Sequence, residues 1–182
     1  MSILQTLQEI SVQNQLPFLL IGGHAMNLLG LSRQTADIDL LVPETDVQKW
    51  INHLTPMGYT VFNRTQAFAQ LEGPHLEDWP IDLVLVDPET FQRLQAKAVP
   101  GCLDDIPIRI PATEHFLALK VHGLKQGGPQ RTLKDVEDIL HLLACGQLNP
   151  HNPTVCSQLD RYGTPEITQT IHYHWDLRNA KK

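Results

Sequence analysis

The most constraining feature of this 182-residue chain is the spacing between a glycine pair and a pair of aspartates. Gly22 and Gly23 end an apolar run that begins at Phe18, and Asp37 and Asp39 start the next apolar run after thirteen intervening residues. The first run predicts a buried strand that enters a turn open only to small residues. In the second run, side chains two residues apart share one face of a strand, so both carboxylates lie side by side.

A third carboxylate, Asp82, interrupts an otherwise apolar strand predicted over residues 81–86. Like charges held together repel, and a buried charge is costly unless it is paired or bound to a metal. A salt bridge to an arginine would explain Asp82 alone, whereas one cation site would explain Asp37, Asp39 and Asp82 together. Because carboxylate oxygens suit Mg²⁺ or Mn²⁺, we predict that these three aspartates are metal ligands.

Composition indicates an ordinary soluble globular protein, with 42% hydrophobic and 19% charged residues. No apolar run approaches the roughly 20 residues that span a bilayer, and the N-terminus lacks the pattern of a signal peptide. The three cysteines are widely spaced and form no C-x-x-C motif. We therefore expect a cytoplasmic protein with reduced thiols and no membrane partner.

The net charge of −6 argues against broad, unspecific binding to nucleic acid. Residues 1–92 hold eleven acidic and three basic residues, whereas residues 93–134 hold seven basic and three acidic ones. This distribution suits a site that combines metal-binding carboxylates with phosphate-binding cations. An uneven but functionless surface explains it equally well.

Periodicity and chain breakers predict an α/β (α+β) fold, a small mixed β-sheet flanked by helices, with a helical C-terminal part. The strands are predicted at residues 18–21, 37–42, 59–62, 67–71, 81–86 and 106–110. The helices are predicted at residues 2–15, 23–29, 46–57, 88–97, 113–126 and 132–145, with weaker helical character beyond. We expect two domains, an α/β core over 1–111 and a helical region over 112–182.

The ordered set of a hydrophobic-Gly-Gly turn, a D-x-D strand and a third strand aspartate resembles the nucleotidyltransferase superfamily of the DNA polymerase β type. This match spans residues 18–86. The stretch from Gly23 to Asp39 is also similar to the G-x-A-x(4)-G-x-x-R-x-T-x-D-I-D form of AbiEii-like, toxin–antitoxin-related bacterial nucleotidyltransferases. The similarity extends more loosely to about residue 143, through a helix with Lys120 and a K-D-x-x-D segment.

The resemblance implies a metal-dependent transfer of a nucleoside monophosphate from an NTP to a hydroxyl group. It gives the catalytic, metal-binding role to Asp37, Asp39 and Asp82. The backbone N–H groups that follow the glycine pair open a helix and can hold phosphate. The predicted nucleotide-binding residues are Gly22, Gly23, Arg33, Thr35 and Lys120. Secondary candidates are His24, Arg131, Lys134, Asp135 and Asp138.

Several of these residues also have an ordinary structural explanation. Lys120 can extend its ammonium group past an apolar stripe to water rather than bind phosphate. Asp135 can form a capping box with Thr132. His24 can lie near the nucleotide, and Trp79 can either stack on a base or pack in the core. We expect no zinc site among the histidines.

The acceptor could be RNA such as a tRNA, a protein, or a small molecule such as an antibiotic. The resemblance favours a toxin-like enzyme that acts on RNA or protein, with a cognate antitoxin or another partner protein. The alternative is a catalytically inactive or antitoxin-like interaction protein that keeps the fold. A third hypothesis is a sequence-independent RNA-binding module, which would show a steep salt dependence.

Overall fold

The computed structural model describes residues 2–32, 34–126 and 132–180. The chain divides into two compact units, Met1–Ala112 and Thr113–Lys182. Unit 1 combines strands and helices, and the described part of unit 2 is built from helices. The predicted fold class, an α/β core followed by a helical part, is therefore confirmed.

Unit 1 is built on a five-stranded mixed sheet with the order β1-β2-β5-β4-β3. Its strands are β1 (Leu19–Leu20), β2 (Ile38–Pro43), β3 (Thr60–Arg64), β4 (Phe68–Glu72) and β5 (Ile81–Val86). The pair β2–β5 is parallel, and the other neighbours are antiparallel. A parallel pair needs a long connection, and residues 44–80 provide it.

The helices of unit 1 are α1 (Ile3–Asn14), α2 (Gly22–Leu28), α3 (Val47–Leu54) and α4 (Pro88–Ala96). Asp87 caps α4 by accepting a hydrogen bond from the Thr90 backbone N–H, and Pro88 occupies the first turn. The helix predicted over 46–57 is shorter than expected, because both of its ends are 3₁₀ turns. Gly58 then ends this segment with a φ of +92°.

One face of the sheet in unit 1 packs against the core, and Leu41 is also fully buried on the other face. Leu40, Leu71 and Leu83 point to the packed face from three neighbouring strands and are fully buried. Asp39, Gln70 and Asp82 lie on the opposite face, since side chains alternate along each strand. The packed face thereby fixes the backbone beneath the polar face.

A two-stranded sheet completes unit 1 and corrects one prediction. The strand β7 (Ile106–Ile110) was expected, but its partner β6 (Val99–Leu103) was not. Proline and glycine are unfavourable inside a larger sheet, but Pro100 and Gly101 are tolerated in a ribbon that has no third strand. Asp104 and Asp105, with φ of +50° and +63°, form the tight turn that a hairpin of this twist requires.

Unit 2 contains α5 (Thr113–Gln126), α6 (Thr132–Cys145), α7 (Pro153–Tyr162) and α8 (Pro165–Asn179). Its buried side chains include Phe116, Leu117 and Val121 of α5 and Ile139 and Leu143 of α6. The helices predicted over 113–126 and 132–145 are confirmed. Among the described residues, no helix has both the length and the apolar character to cross a membrane.

Candidate active site

The glycine turn brings the backbone against a site carboxylate. Gly22 has a φ of +64°, a conformation that favours glycine. A methyl group at this position would overlap the carboxylate of Asp39. The Ile21 backbone N–H donates to the Asp39 carbonyl oxygen at 3.0 Å, which holds the turn beside β2. The glycine at position 22 is therefore required by the position of Asp39.

Three carboxylates meet at this turn. Asp39 of β2 and Asp82 of β5 are register partners in the parallel pair, so their side chains project side by side. Asp37 lies in the bend that precedes β2. One carboxylate oxygen from each of the three lies within 4.8 Å of the others, and all three residues are half-buried. Such a group of hard oxygen donors suits Mg²⁺ or Mn²⁺.

Neutral side chains hold two of these carboxylates. The Thr35 hydroxyl donates to Asp37 Oδ1 at 2.7 Å. Gln70 Nε2 of β4 donates to Asp82 Oδ2 at 2.9 Å, and Asn63 Nδ2 of β3 donates to Gln70 Oε1 at 2.9 Å. Thr35 was among the predicted site residues, whereas Gln70 and Asn63 were not. The only available signal was a polar residue between the apolar Ala69 and Leu71.

The helix after the glycine turn contributes a buried histidine. His24 is 6% exposed, and its Nε2 has no hydrogen-bond partner within the described part of the chain. Burial lowers the pKa of His24, although the charges of Asp37 and Asp104 oppose this shift, so the ring is neutral near pH 7. Its ring stacks on Trp79 at a centroid distance of 4.7 Å and an interplanar angle of 19°. Trp79 is 37% exposed and is therefore only partly a packing residue.

A separate charged cluster links α5 and α6 of unit 2. Lys120 Nζ lies 2.6 Å from Asp138 Oδ2 and 3.6 Å from Asp135 Oδ1. The Asp138 side chain is 2% exposed, and those of Lys120 and Asp135 are 15% and 17% exposed. Asp135 thus contacts Lys120. The capping-box interpretation also involves the Thr132 side chain, which lies outside the described part of the chain.

The predicted site residues thus divide between the two units. Unit 1 brings together Asp37, Asp39, Asp82, Thr35 and the Gly22 turn. Unit 2 holds the Lys120 cluster, and Lys134 is an exposed residue of α6. The predictions for Arg33 and Arg131 lie outside the described residues.

Comparisons with known proteins identify the fold. No protein-family profile and no curated protein sequence matches the chain. The solved structures that match it include three that align along most of their own length. ANT(2'')-Ia in complex with adenylyl-2''-tobramycin is 14% identical, with a TM-score of 0.60 over 94% of this chain and 98% of its own. The lincosamide antibiotic adenylyltransferase LnuA, bound to lincomycin, is 20% identical, with a TM-score of 0.55 over 78% of this chain and 95% of its own.

The third structure is an antigenic nucleotidyltransferase-like protein from Paracoccidioides brasiliensis. It is 15% identical, with a TM-score of 0.56 over 93% of this chain and 90% of its own. Likenesses at this level of identity define a fold. The chain therefore has the nucleotidyltransferase fold, as the glycine turn and the spacing of the aspartates predicted.

Proposed function

We propose that this protein is a metal-dependent nucleotidyltransferase that moves a nucleoside monophosphate from an NTP to a hydroxyl group. The observation that carries this proposal is the meeting of Asp37, Asp39 and Asp82 beside the Gly22 turn, in a chain with the nucleotidyltransferase fold. A trio of half-buried carboxylates has no simple role in stability, because like charges repel.

The donor set fits a divalent cation. The aspartates Asp37, Asp39 and Asp82 would hold Mg²⁺ or Mn²⁺ through carboxylate oxygens that lie within 4.8 Å of one another. When bound, such a cation neutralises phosphate charge and favours attack by a hydroxyl oxygen. Thr35 would keep Asp37 oriented, because its hydroxyl already donates to Oδ1.

The remaining groups of unit 1 would bind and orient the nucleotide. We assign phosphate binding to the backbone N–H groups of Gly22 and Gly23, since the preceding Ile21 has no polar side-chain atom with which to cap them. His24 lies buried beside this turn, and its Nε2 has no hydrogen-bond partner within the described part of the chain, so we keep it as a secondary site residue. The exposed part of Trp79 offers an aromatic surface for a base.

The proposed reaction is a single displacement at phosphorus. The acceptor oxygen attacks the α-phosphorus of the NTP and forms a new O–P bond. The bond from the α-phosphorus to the oxygen that bridges to the β-phosphorus breaks, and pyrophosphate leaves with that electron pair. The acceptor's hydroxyl proton passes to an oxygen of Asp82, which then releases it to water.

For unit 2 we propose that Lys120 contributes to phosphate binding. An ammonium group has three N–H donors; in the Lys120 cluster, Asp138 Oδ2 lies at hydrogen-bond distance from Nζ, 2.6 Å away, whereas Asp135 Oδ1 makes a looser ion-pair contact at 3.6 Å. These two carboxylates would orient Lys120 and would thereby act as secondary site residues. Arg33, Arg131 and Lys134 remain predicted contacts to phosphate or to a polyanionic acceptor.

The acceptor is the least determined part of the proposal. Two of the structural matches, ANT(2'')-Ia with adenylyl-2''-tobramycin and the adenylyltransferase LnuA with lincomycin, are in complex with small molecules. This favours ATP as donor and a small hydroxylated molecule as acceptor. The AbiEii-like motif supports the second candidate, a toxin-related enzyme that modifies RNA or protein and has a cognate partner protein.

Label transfer tests the proposal and separates the acceptors. The full chain is incubated with Mg²⁺ and each α-³²P-labelled NTP, in turn with RNA, with protein, and with small molecules that include tobramycin and lincomycin. We expect label in one acceptor class with the wild type, none with Asp39→Asn, and wild-type transfer with the control Asp105→Asn, an exposed turn residue. Absence of transfer in all three classes, together with a co-purifying partner, would instead support the inactive interaction protein.

A further inference from the structure

A row of amide side chains crosses the polar face of the sheet and ends at Asp82. The register pairs Asn63 of β3 with Gln70 of β4, and Gln70 with Asp82 of β5. Residues paired directly across a sheet project to the same face, so the three side chains form one line. Both side-chain hydrogen bonds along this line measure 2.9 Å.

The chemistry of the groups fixes the direction of this row. An ionised carboxylate only accepts hydrogen bonds, so Gln70 must present its NH₂ group to Asp82 Oδ2. The Gln70 carbonyl oxygen then faces β3, where the Asn63 amide donates to it. Asn63 thereby prevents the Gln70 carboxamide from turning its oxygen toward Asp82. A reversed carboxamide would place an acceptor against an acceptor.

A neutral donor is the appropriate partner for a metal-binding carboxylate. It holds Oδ2 of Asp82 in place without supplying a positive charge that would compete with a cation. Ligand carboxylates are commonly oriented by such hydrogen bonds from a neighbouring shell of side chains. Thr35 makes the corresponding neutral hydrogen bond to Asp37 on the other side of the carboxylate group.

The backbone beneath Gln70 is firmly placed. Its neighbours on β4, Ala69 and Leu71, are fully buried on the packed face of the sheet, and β4 pairs with a strand on each side. Gln70 is itself half-buried, whereas Asn63 lies on the exposed edge strand β3. A rigid backbone with a directed side chain is what a site requires to hold a ligand geometry.

We infer that Gln70 is a positioning residue of the divalent-cation site, which holds the Asp82 carboxylate for the metal, and that Asn63 orients Gln70. The inference rests on the proposed function for the identity of the ligand, a hard divalent cation. It concerns a residue that acts through Asp82 and that touches neither the nucleotide nor the acceptor.

The test measures Mn²⁺ affinity of the full chain by electron paramagnetic resonance of free Mn²⁺, without any nucleotide. Gln70→Leu and Gln70→Met remove the donor and keep most of the volume. We expect each to weaken Mn²⁺ binding by about tenfold, the range known for the loss of supporting hydrogen bonds at metal sites. Asn63→Ala should cause a smaller loss in the same direction, and Gln92→Leu on the exposed side of α4 should cause none.

Thermal unfolding in EDTA distinguishes a role of Gln70 in positioning Asp82 from a role in the stability of the fold. A purely structural Gln70 would lower the unfolding temperature in EDTA and leave the Mn²⁺ dissociation constant unchanged. Because Asn63 is exposed on an edge strand, Asn63→Ala keeps the test informative if both Gln70 variants fold poorly.

The outcomes distinguish this inference from the proposed function. If the wild type binds Mn²⁺, Asp82→Asn abolishes binding, and the Gln70 and Asn63 variants bind like the wild type, the inference is overturned and the proposed function stands. If the wild type itself fails to bind Mn²⁺ at millimolar concentration, the metal site and the proposed function fail together. Weaker binding by the Gln70 and Asn63 variants with unchanged transitions in EDTA supports both.

Discussion

The smallest feature on which the site depends is the contact between the Gly22 backbone and the Asp39 carboxylate. The left-handed φ of +64° and the lack of space for a Cβ are two separate reasons for glycine at this position. Gly30 offers a useful contrast, because it has a φ of +90° but no heavy atom within 4 Å of where a Cβ would lie. The two glycines therefore separate backbone strain from crowding of the site.

We predict that Gly22→Ala and Gly30→Ala will both lose stability but will differ in metal binding. Each alanine must adopt a left-handed conformation, which costs about 1–2 kcal/mol of unfolding free energy. Only Gly22→Ala must also displace the Asp39 carboxylate, so only it should lose Mn²⁺ affinity. Urea denaturation and Mn²⁺ titration of both variants check this. Wild-type Mn²⁺ affinity in Gly22→Ala would show that the close contact is unimportant.

At the scale of secondary-structure elements, the parallel pair β2–β5 creates the site. It sets Asp39 opposite Asp82, and the antiparallel strand β4 adds Gln70 to the same line. Holding like charges together destabilises the metal-free protein, and binding of a cation relieves the repulsion.

Asp82→Asn should therefore stabilise the metal-free protein and abolish its response to metal. The amide keeps an oxygen that can accept from Gln70, while one negative charge disappears. In EDTA we expect a gain of about 1 kcal/mol in unfolding free energy, from reduced repulsion in a half-buried setting. In the wild type, Mn²⁺ at a hundred times its dissociation constant should add about 2.7 kcal/mol, and the variant should show no such gain. Thermal unfolding in EDTA and in MnCl₂ measures both effects; a normal metal response in Asp82→Asn would contradict the assignment.

The helix pair α5–α6 carries the Lys120 cluster, for which the sequence allowed either a structural or a phosphate-binding role. Asp138 is 1% exposed, and Lys120 is its ion-pair partner at 2.6 Å. Removing one member of a buried ion pair leaves the other charge desolvated.

Lys120→Met should destabilise the chain by about 3 kcal/mol, the usual cost of breaking a buried pair. Lys125→Met on the exposed surface of the same helix is the matched control and should change little. Urea denaturation followed by circular dichroism checks the difference. The double variant Lys120→Met, Asp138→Leu should recover much of the loss. If it folds stably and still binds NTP as tightly as the wild type, Lys120 has only a structural role.

Features that depend on local sequence were predictable, and features that depend on contacts between distant strands were not. The strand of Asp39, the strand of Asp82 and the Gly22 turn were predictable, because local periodicity and glycine chemistry define them. The roles of Gln70 and Asn63 were not, because they depend on a register between strands and on an irregularity in the pairing of β3 with β4. The strand β6 was missed since its Pro100-Gly101 pair is unfavourable in ordinary strands, although a two-stranded ribbon accepts it.

At the scale of the whole molecule, the proposed chemistry rests on the fold and on the carboxylate site taken together. This chain covers 98% of the ANT(2'')-Ia structure and 95% of the LnuA structure, so the likeness extends across both proteins rather than one shared motif. The net charge of −6 argues against a general nucleic-acid surface. The central claim of the proposed function is that the NTP is cleaved between its α- and β-phosphates and that the nucleoside monophosphate is transferred.

The fate of the ATP phosphates tests that claim most directly. The full chain is incubated with Mg²⁺, the acceptor found by label transfer, and ATP labelled with ³²P at either the α or the γ position. We predict that the α-label enters the acceptor, that the γ-label is released as pyrophosphate in equal amount, and that Asp39→Asn does neither. Transfer of the γ-label to the acceptor would show phosphoryl rather than nucleotidyl transfer and would contradict the account.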